Sequence, residues 1–170
     1  MKVLAIIDMQ KDFIDGALGT KEAVAIVPAV AARLQQARSS GETVVFTRDT
    51  HHEDYLTTQE GRNLPVPHCL EGSGGWQIDA ALPVEDAPVF DKPSFGSPAL
   101  IDYLARLPEL ESVEFIGLCT DICVITNAMM LKGARPEVPI RVRAACCAGV
   151  TPQSHENALA AMKQCQIEIL

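Results

Sequence analysis

The chain has 170 residues, of which 48% are apolar and 21% charged, and its formal net charge is −8. This composition excludes a disordered, collagen-like or coiled-coil chain and predicts one globular domain over residues 1–170. The acidic balance repels polyanions, so we expect neither nucleic acid nor a membrane as a partner. The class that remains is a protein acting on a small molecule.

Short apolar segments alternate with amphipathic segments along the chain. The predicted strands are Lys2–Ile7, Thr43–Thr47, Pro88–Asp91, Val113–Gly117, Ile140–Ala144 and Gln166–Leu170. The predicted helices are Val27–Ser40, Ser97–Leu107, Asp121–Lys132 and Pro152–Gln164, with Pro28 in the opening turn of the first and Gly133 just after the third. This alternation predicts an α/β fold with a parallel sheet covered by helices on both faces.

The start of the chain and its cysteines bear on the compartment. The first apolar run, Val3–Ile7, is too short for a secretory signal, and no run is long enough to span a membrane. The six cysteines lack the spacing of a disulfide scaffold. We therefore expect a cytoplasmic protein with free thiols.

One long segment, Arg48–Val84, interrupts the alternation and is rich in glycine, proline and histidine. A loop of this length within a small domain is usually functional. Open α/β sheets bind their ligands beyond the carboxyl ends of the strands. The candidate side chains are therefore those that follow predicted strands: Asp8, Asp49, His51, Lys92, Cys119 and Cys123.

Cys123 is the first candidate for a nucleophile. It lies in the predicted first turn of a helix, where free backbone N–H groups and the helix dipole lower a thiol pKa and can hold an oxyanion. Cys119 competes for this role, but it precedes the turn. Asp8 and Lys92 complete a set with a carboxylate to accept the thiol proton and a cation to stabilise anionic states. Taken singly, each of these residues is more often structural.

A second set of side chains has the composition of a metal site. Asp49 and His51 are two residues apart on an extended segment, so their side chains share a side, and His68 follows in the same loop. A carboxylate and two imidazoles suit Zn²⁺ or another divalent first-row ion, with positions left open for water or substrate. Glu60 is a candidate fourth ligand, directly or through water.

Four segments of the chain resemble the isochorismatase-like cysteine hydrolases, and within them the nicotinamidase-like amidases. In chain order they are Ile6–Phe13 (IIDMQKDF), a metal loop made of Thr47–His51, Pro67–Cys69 and Gly72–Gly75, then Asp91–Phe95 (DKPSF) and Gly117–Val124 (GLCTDICV). The resemblance implies a single isochorismatase-like domain with a three-layer, Rossmann-like fold around a six-stranded parallel sheet.

The resemblance also implies a mechanism. Asp8, Lys92 and Cys123 would form a triad in which Cys123 attacks an amide carbonyl and forms a thioester, while Asp8 serves first as base and then as acid. Backbone N–H groups of Cys119 and Cys123 would hold the oxyanion, and the peptide bond before Cys119 is often cis in this family. A divalent metal, most often zinc, would be bound by Asp49, His51 and His68, with Glu60 as a further ligand in some members.

Three hypotheses remain for the activity. The first is nicotinamidase-like hydrolysis of nicotinamide to nicotinate and ammonia in NAD salvage, by a homo-oligomer of two or more chains, with Phe13 and Phe95 as walls against the substrate ring. The segment Leu64–Val66 lacks the aromatic residue usual in nicotinamidases, so the second is hydrolysis of a carbamoyl or ureido compound, or of an enol ether as by isochorismatase. The third is a non-enzymatic thiol redox or zinc module that uses Cys119 and Cys123 or the adjacent pair Cys146 and Cys147.

Overall fold

Six parallel strands form the centre of the protein, which the computed structural model describes over residues 1–170. Their order across the sheet is β3-β2-β1-β4-β5-β6. The strands are β1 Lys2–Ile7, β2 Thr43–Asp49, β3 Val89–Lys92, β4 Ser112–Leu118, β5 Ile140–Ala148 and β6 Glu168–Ile169. All neighbouring strands pair in parallel. The predicted α/β fold with a six-stranded parallel sheet is confirmed.

Helices cover this sheet on both faces. They are α1 Lys11–Ile14, α2 Lys21–Ser39, α3 Gln59–Asn63, α4 Pro98–Arg106, α5 Ile125–Ala134 and α6 Pro152–Gln164. Helices α4, α5 and α6 pack side by side, whereas α2 packs across β2, β4 and β5. Every residue of β4 is buried, as expected for a strand covered from both sides. None of the helices has the length and apolarity that crossing a membrane requires.

Two of the predicted helices have wrong boundaries. Helix α2 begins at Lys21 because the Thr20 hydroxyl accepts a hydrogen bond from the backbone N–H of Ala23 at 3.0 Å, a cap that initiates the helix before the proline is reached. Pro28 therefore lies inside a 19-residue helix, which tolerates the loss of one backbone donor. Before α5, the segment Thr120–Val124 forms one turn of π-helix, and Gly133 lies within α5 rather than after it.

The carboxyl ends of four adjacent strands meet at one edge of the sheet. Strand β3 ends at Lys92 and β2 at Asp49, and these two residues are directly paired in the ladder. Strand β1 ends just before Asp8, and β4 ends at Leu118, just before Cys119. The loop between β2 and β3 contains a 3₁₀ turn, Tyr55–Thr57, and the short helix α3. The topology therefore places all the candidate side chains from these strands at one edge.

Gly117 in β4 is a position where only glycine fits. Its φ is +115°, and a Cβ added there would collide with the backbone carbonyl of Ile7 on the neighbouring strand. Gly117→Ala should therefore lower the free energy of unfolding by about 3 kcal/mol or more, because it adds backbone strain to a steric clash. Urea denaturation monitored by circular dichroism measures the loss.

Gly133→Ala is the matched control for this prediction. Gly133 is helical, and a Cβ added there would meet no atom within 4 Å. This variant should unfold at the same urea concentration as the wild type or at a slightly higher one, since alanine is the better helix former. Equal stability of the Gly117 and Gly133 variants would contradict the prediction.

Candidate active site

The ammonium group of Lys92 lies at the centre of a buried cluster. Its Nζ is 2.6 Å from Asp8 Oδ2, 3.2 Å from Asp49 Oδ1 and 3.4 Å from Cys123 Sγ. It also donates to the backbone carbonyl of Ser94 at 3.0 Å. Burial alone would lower the pKa of Lys92, but the charges of Asp8 and Asp49 outweigh burial and hold that pKa well above its usual value. The structure thus brings the three predicted triad residues together around a permanent cation.

The carboxylate of Asp8 is oriented by a single hydroxyl group. Thr47 Oγ1 donates to Asp8 Oδ1 at 2.6 Å and accepts from the Asp8 backbone N–H at 3.2 Å. Asp8 Oδ2, although close to Lys92, has no donor aligned with it. Burial raises the pKa of Asp8, and the charge of Lys92 opposes that rise. A carboxylate acceptor therefore lies within reach of the Cys123 thiol.

The Cys123 thiol differs from its sequence-based prediction. Burial raises the pKa of Cys123 well above its usual value, and the carboxylate of Asp8 raises it further, against the opposing charge of Lys92. The predicted lowering by a helix N-terminus is wrong, because the sulfur lies in a dry environment beside a carboxylate, where the neutral form is favoured. The resting group is a thiol, and it requires a base to become a nucleophile.

Cys119 lies at the start of the π-helical turn. The Leu118–Cys119 peptide bond is cis, and the Cys119 carbonyl accepts hydrogen bonds from the backbone N–H groups of Ile122 and Val124 at 3.1 and 3.0 Å. Burial raises the pKa of the Cys119 thiol to about 12. Use of the Cys119 and Cys123 N–H groups to hold an oxyanion stays a prediction.

The four predicted metal ligands converge beside this cluster. One ligand atom from each of Asp49, His51, Glu60 and His68 can be chosen so that all four lie within 4.8 Å of one another. Asp49 Oδ2 is 2.8 Å from His51 Nε2 and 3.4 Å from His68 Nε2. Glu60 Oε1 is 3.5 and 3.7 Å from the same two nitrogens. The four side chains thus surround one common point.

The donor set fits a divalent metal ion. His51 Nε2 is buried, and although Asp49 Oδ2 lies 2.8 Å away, the two are not aligned for a hydrogen bond, which is costly unless another group uses the nitrogen's lone pair. His68 Nδ1 lies 2.8 Å from the backbone carbonyl of Val66, so that nitrogen carries the proton and Nε2 faces the other ligands as an acceptor. Tyr55 packs behind both rings, with ring centroids 4.7 Å from His51 and 5.1 Å from His68. Two imidazoles and two carboxylates form a common site for zinc and similar ions.

A single cavity of about 280 Å³ is lined by Cys123 and by three of the four predicted metal ligands, Asp49, Glu60 and His68. Phe13 lines it and packs edge-on against His68, with ring centroids 5.4 Å apart. Phe95 lines the mouth with 43% of its surface exposed. The structure therefore places both predicted ring walls at the cavity. The full lining is Phe13, Leu18, Thr20, Ala23, Asp49, Glu60, Leu64, His68, Phe95, Leu118, Cys119, Ile122, Cys123, Gly149 and Val150.

Comparison with known proteins identifies the family. The model of the isochorismatase domain matches residues 2–170. The chain belongs to the isochorismatase domain family. One relative, the nicotinamidase/pyrazinamidase of Mycobacterium tuberculosis, is 27% identical to this chain over 188 residues, which cover 100% of this chain and 98% of the relative.

Solved structures of isochorismatase-family proteins agree with the fold. The pyrazinamidase of Pyrococcus horikoshii, in complex with zinc, matches with a TM-score of 0.87 and 28% identity over 99% of this chain and 98% of its own. The pyrazinamidase/nicotinamidase of Streptococcus mutans UA159 matches with a TM-score of 0.88 and 27% identity over 100% of both chains. The predicted family is confirmed, and with it the prediction that the chain is an enzyme of the hydrolase class.

Several residues that support this isochorismatase-type site were not assigned a role from the sequence. Gln10 is buried and brackets the backbone of Asp49: its Nε2 donates to the carbonyl at 2.8 Å, and its Oε1 accepts from the N–H at 2.7 Å. Asp12 Oδ2 accepts from the N–H of Cys69, next to His68, at 2.8 Å. Both residues belong to the motif Asp-x-Gln-x-Asp-Phe, which begins at Asp8. This motif was the sequence signal that could have identified them, since its polar members lie close to the metal ligands or to the base.

Removal of one metal ligand should abolish tight metal binding. His51→Ala removes one of the two imidazoles, and we expect the affinity for Zn²⁺ to fall by about 100-fold or more, because the remaining three donors cannot close the site. Competition with a chromophoric chelator measures the affinity. His52→Ala is the matched control, because His52 is the adjacent residue but is 64% exposed and pairs only with Glu71. Equal zinc affinities in the two variants would contradict the assignment.

Proposed function

We propose that this enzyme is a metal-containing cysteine amidohydrolase that acts on a small, neutral amide of the nicotinamide type. The observation that carries the proposal is the shared cavity, in which the Cys123 thiol, supported by Asp8 and Lys92, opens into the same space as the metal-ligand cluster. Acyl transfer needs a nucleophile, a base within reach of it and a group that orients the carbonyl, and these are the parts assembled here.

The first half of the reaction forms a thioester. Asp8 accepts the thiol proton as Cys123 Sγ attacks the carbonyl carbon, and the carbonyl oxygen becomes an oxyanion that backbone N–H groups of Cys119 and Cys123 hold. When the C–N bond breaks, Asp8 returns the proton to the nitrogen, which leaves as ammonia. Lys92 stays positively charged throughout and stabilises the anionic sulfur and carboxylate in turn.

The second half of the reaction releases the acid. Asp8 takes a proton from a water molecule, which attacks the thioester carbon, and the C–S bond breaks. The proton held by Asp8 then returns to Cys123 Sγ, which restores the neutral thiol that burial favours. One water molecule is consumed for each amide, and the charges of Asp8 and Lys92 are the same at the start and at the end.

We propose zinc as the metal. Asp49, His51, Glu60 and His68 would hold it, and it would supply a Lewis acid at the cavity wall that binds a substrate heteroatom or water. The nitrogen-rich ligand set supports this choice, and the Pyrococcus horikoshii relative is in complex with zinc. Phe13, which packs against His68, would limit where a bound ring can lie.

The cavity favours a neutral substrate over an anionic one. No lysine or arginine is among its lining residues, and its only charged members are Asp49 and Glu60. A substrate carboxylate would lose its hydration without gaining a cationic side chain, and the proposed metal ion would compensate little, because the carboxylates of Asp49 and Glu60 already offset its charge. This disfavours isochorismate and carbamoyl amino acids, which carry carboxylates, and leaves neutral ureido compounds as the surviving form of the second hypothesis.

The third hypothesis, a thiol redox module, is disfavoured by the state of the thiols. Burial raises the pKa of Cys119, Cys123 and Cys147 alike, whereas redox-active cysteines are typically thiolates. Homo-oligomer formation, a cytoplasmic location and a role in NAD salvage stay predictions from the resemblance.

Replacement of the proposed nucleophile should abolish hydrolysis. Cys123→Ala should reduce ammonia release from nicotinamide by about 10⁴-fold or more, since no thioester can form. A coupled ammonia assay measures the rate, and zinc content should stay at the wild-type level. Cys119→Ala keeps its backbone N–H and should retain activity within about tenfold, while the distant Cys165→Ala should match the wild type. Loss of activity in Cys119→Ala but not in Cys123→Ala would transfer the role to Cys119.

A paired substrate test separates the first two hypotheses. The value of kcat/KM for nicotinamide should exceed that for an N-carbamoyl amino acid by about 100-fold or more, because the latter buries an unpaired carboxylate. A neutral alkyl urea distinguishes the effect of the charge from that of the ureido group. Faster turnover of the N-carbamoyl amino acid than of nicotinamide would favour the second hypothesis and contradict the electrostatic argument.

A further inference from the structure

Asn127 is a fully buried polar residue to which the proposed mechanism assigns no role. It lies in α5, four residues after Cys123, and has none of its surface exposed. Its Nδ2 donates to the backbone carbonyl of Cys123 at 2.8 Å and to that of Phe95 at 3.1 Å. Its Oδ1 accepts from the backbone N–H of Ser97 at 2.9 Å. One amide group therefore ties the turn that carries the thiol to the segment that follows β3.

That segment, Pro93–Ser97, has few other supports. Lys92 Nζ binds the Ser94 carbonyl at 3.0 Å, just before Phe95. Gly96 lies so close to α5 that an added Cβ would collide with the side chain of Met130. Ser97 caps α4 by accepting the N–H of Leu100 at 3.2 Å. Asn127 is the polar side chain that binds the segment on both sides of Gly96, and its bonds set where Phe95 stands at the cavity mouth.

We propose that Asn127 is a positioning residue that fixes the distance between the thiol of Cys123 and the aromatic wall of Phe95, and thereby the approach of the substrate carbonyl to the sulfur. The proposal rests on the proposed function for its substrate. Asn127 itself lines no part of the cavity, so its effect reaches the substrate only through these two residues. A shift of about 1 Å in such a geometry is sufficient to slow a reaction by about 100-fold.

An amide side chain suits this position because it donates and accepts at once without carrying a charge. Three backbone groups, two acceptors and one donor, must be satisfied in a region without solvent. An aspartate of the same shape would still accept from Ser97 but would place an oxygen against the carbonyls of Cys123 and Phe95. Asn127→Asp therefore tests the donor function with little change in volume, and Asn127→Ala removes the whole amide.

The test is a kinetic cycle with Phe95. Asn127→Ala should lower kcat for the best amide by about tenfold or more, because the thiol is misplaced, and should raise KM, because the wall moves. Phe95→Ala alone should raise KM. The double variant should have a KM no higher than about twice that of the worse single variant, since both changes act on the same wall. Asn127→Asp should show the same direction in both constants.

Thr126→Val is the matched control. Thr126 precedes Asn127 on α5 and donates to the carbonyl of Ile122 at 2.6 Å. Valine removes this one hydrogen bond but keeps the methyl group, Cγ2, that packs beside Gly96, so the contact between α5 and the Phe95 segment is preserved. This variant should keep wild-type kcat and KM. If Asn127→Ala and Asn127→Asp lower the melting temperature yet keep both constants within twofold of the control, or if the KM effects of Asn127→Ala and Phe95→Ala multiply, the proposal is overturned.

A second readout separates this proposal from the proposed function. The rate of alkylation of Cys123 by iodoacetamide, assigned by peptide mapping, needs no substrate. In Asn127→Ala it should differ from the rate in Thr126→Val by about fivefold or more, because the sulfur has moved relative to Asp8 and Lys92. Wild-type enzyme inactive on every amide tested would contradict the proposed function alone. Equal alkylation rates in the two variants would overturn the positioning role.

Discussion

One buried ammonium group determines how the catalytic edge of the sheet is built. Lys92 is removed from water, and an ammonium ion in such a place is tolerated only when acceptors surround it. The acceptors come from three other segments: Asp8 after β1, Asp49 at the end of β2 and Cys123 after β4. Because these strands neighbour one another in the order β3-β2-β1-β4, a single side chain of ordinary length can reach all three. The sheet topology thus makes the cluster possible. The cluster is also necessary, because a buried ammonium group without these acceptors would be too costly.

The same cation connects the thiol to the metal-ligand cluster. Asp49 directs Oδ1 toward Lys92 and Oδ2 toward the two histidines. Three carboxyl groups, those of Asp8, Asp49 and Glu60, share this region with the single ammonium group of Lys92, so a divalent cation would enter a predominantly acidic cluster. The pKa of Asp49 is held well below its usual range, since the neighbouring His51, His68 and Lys92 outweigh the effect of burial. Asp49 therefore remains an anion that serves both clusters.

The charged and reactive residues at the carboxyl edge of the sheet could be predicted from the sequence, whereas most of the residues that orient them could not. Asp8, Asp49, Lys92 and Cys123 were recognisable because each follows a short apolar run, and strand ends in a parallel sheet converge. Thr47 and Asn127 carried no such signal, and Gln10 was marked only by the motif to which it belongs. Their partners are backbone or carboxylate atoms distant in sequence, and neither periodicity nor spacing encodes those contacts. The pKa of Cys123 was predicted in the wrong direction for the same reason. Its position at the start of a helix can be predicted from the sequence, whereas the exclusion of water from its thiol depends on the packed structure. Likewise, Pro28 was wrongly predicted to lie in the first turn of its helix, because the helix begins seven residues earlier, after the Thr20 cap.

The two buried amides explain how such a site can be precise without further charge. Gln10 brackets the backbone of Asp49, and Asn127 brackets Cys123 and the segment of Phe95. A charged residue at either place would add another desolvated ion to an edge of the sheet where Asp8, Asp49 and Lys92 are already buried. A hydroxyl group could satisfy fewer of the backbone groups at once, and an apolar side chain would satisfy none. Neutral amides are the side chains that meet both demands, so the metal side and the thiol side of the cavity are each fixed by one residue that neither ligates nor reacts.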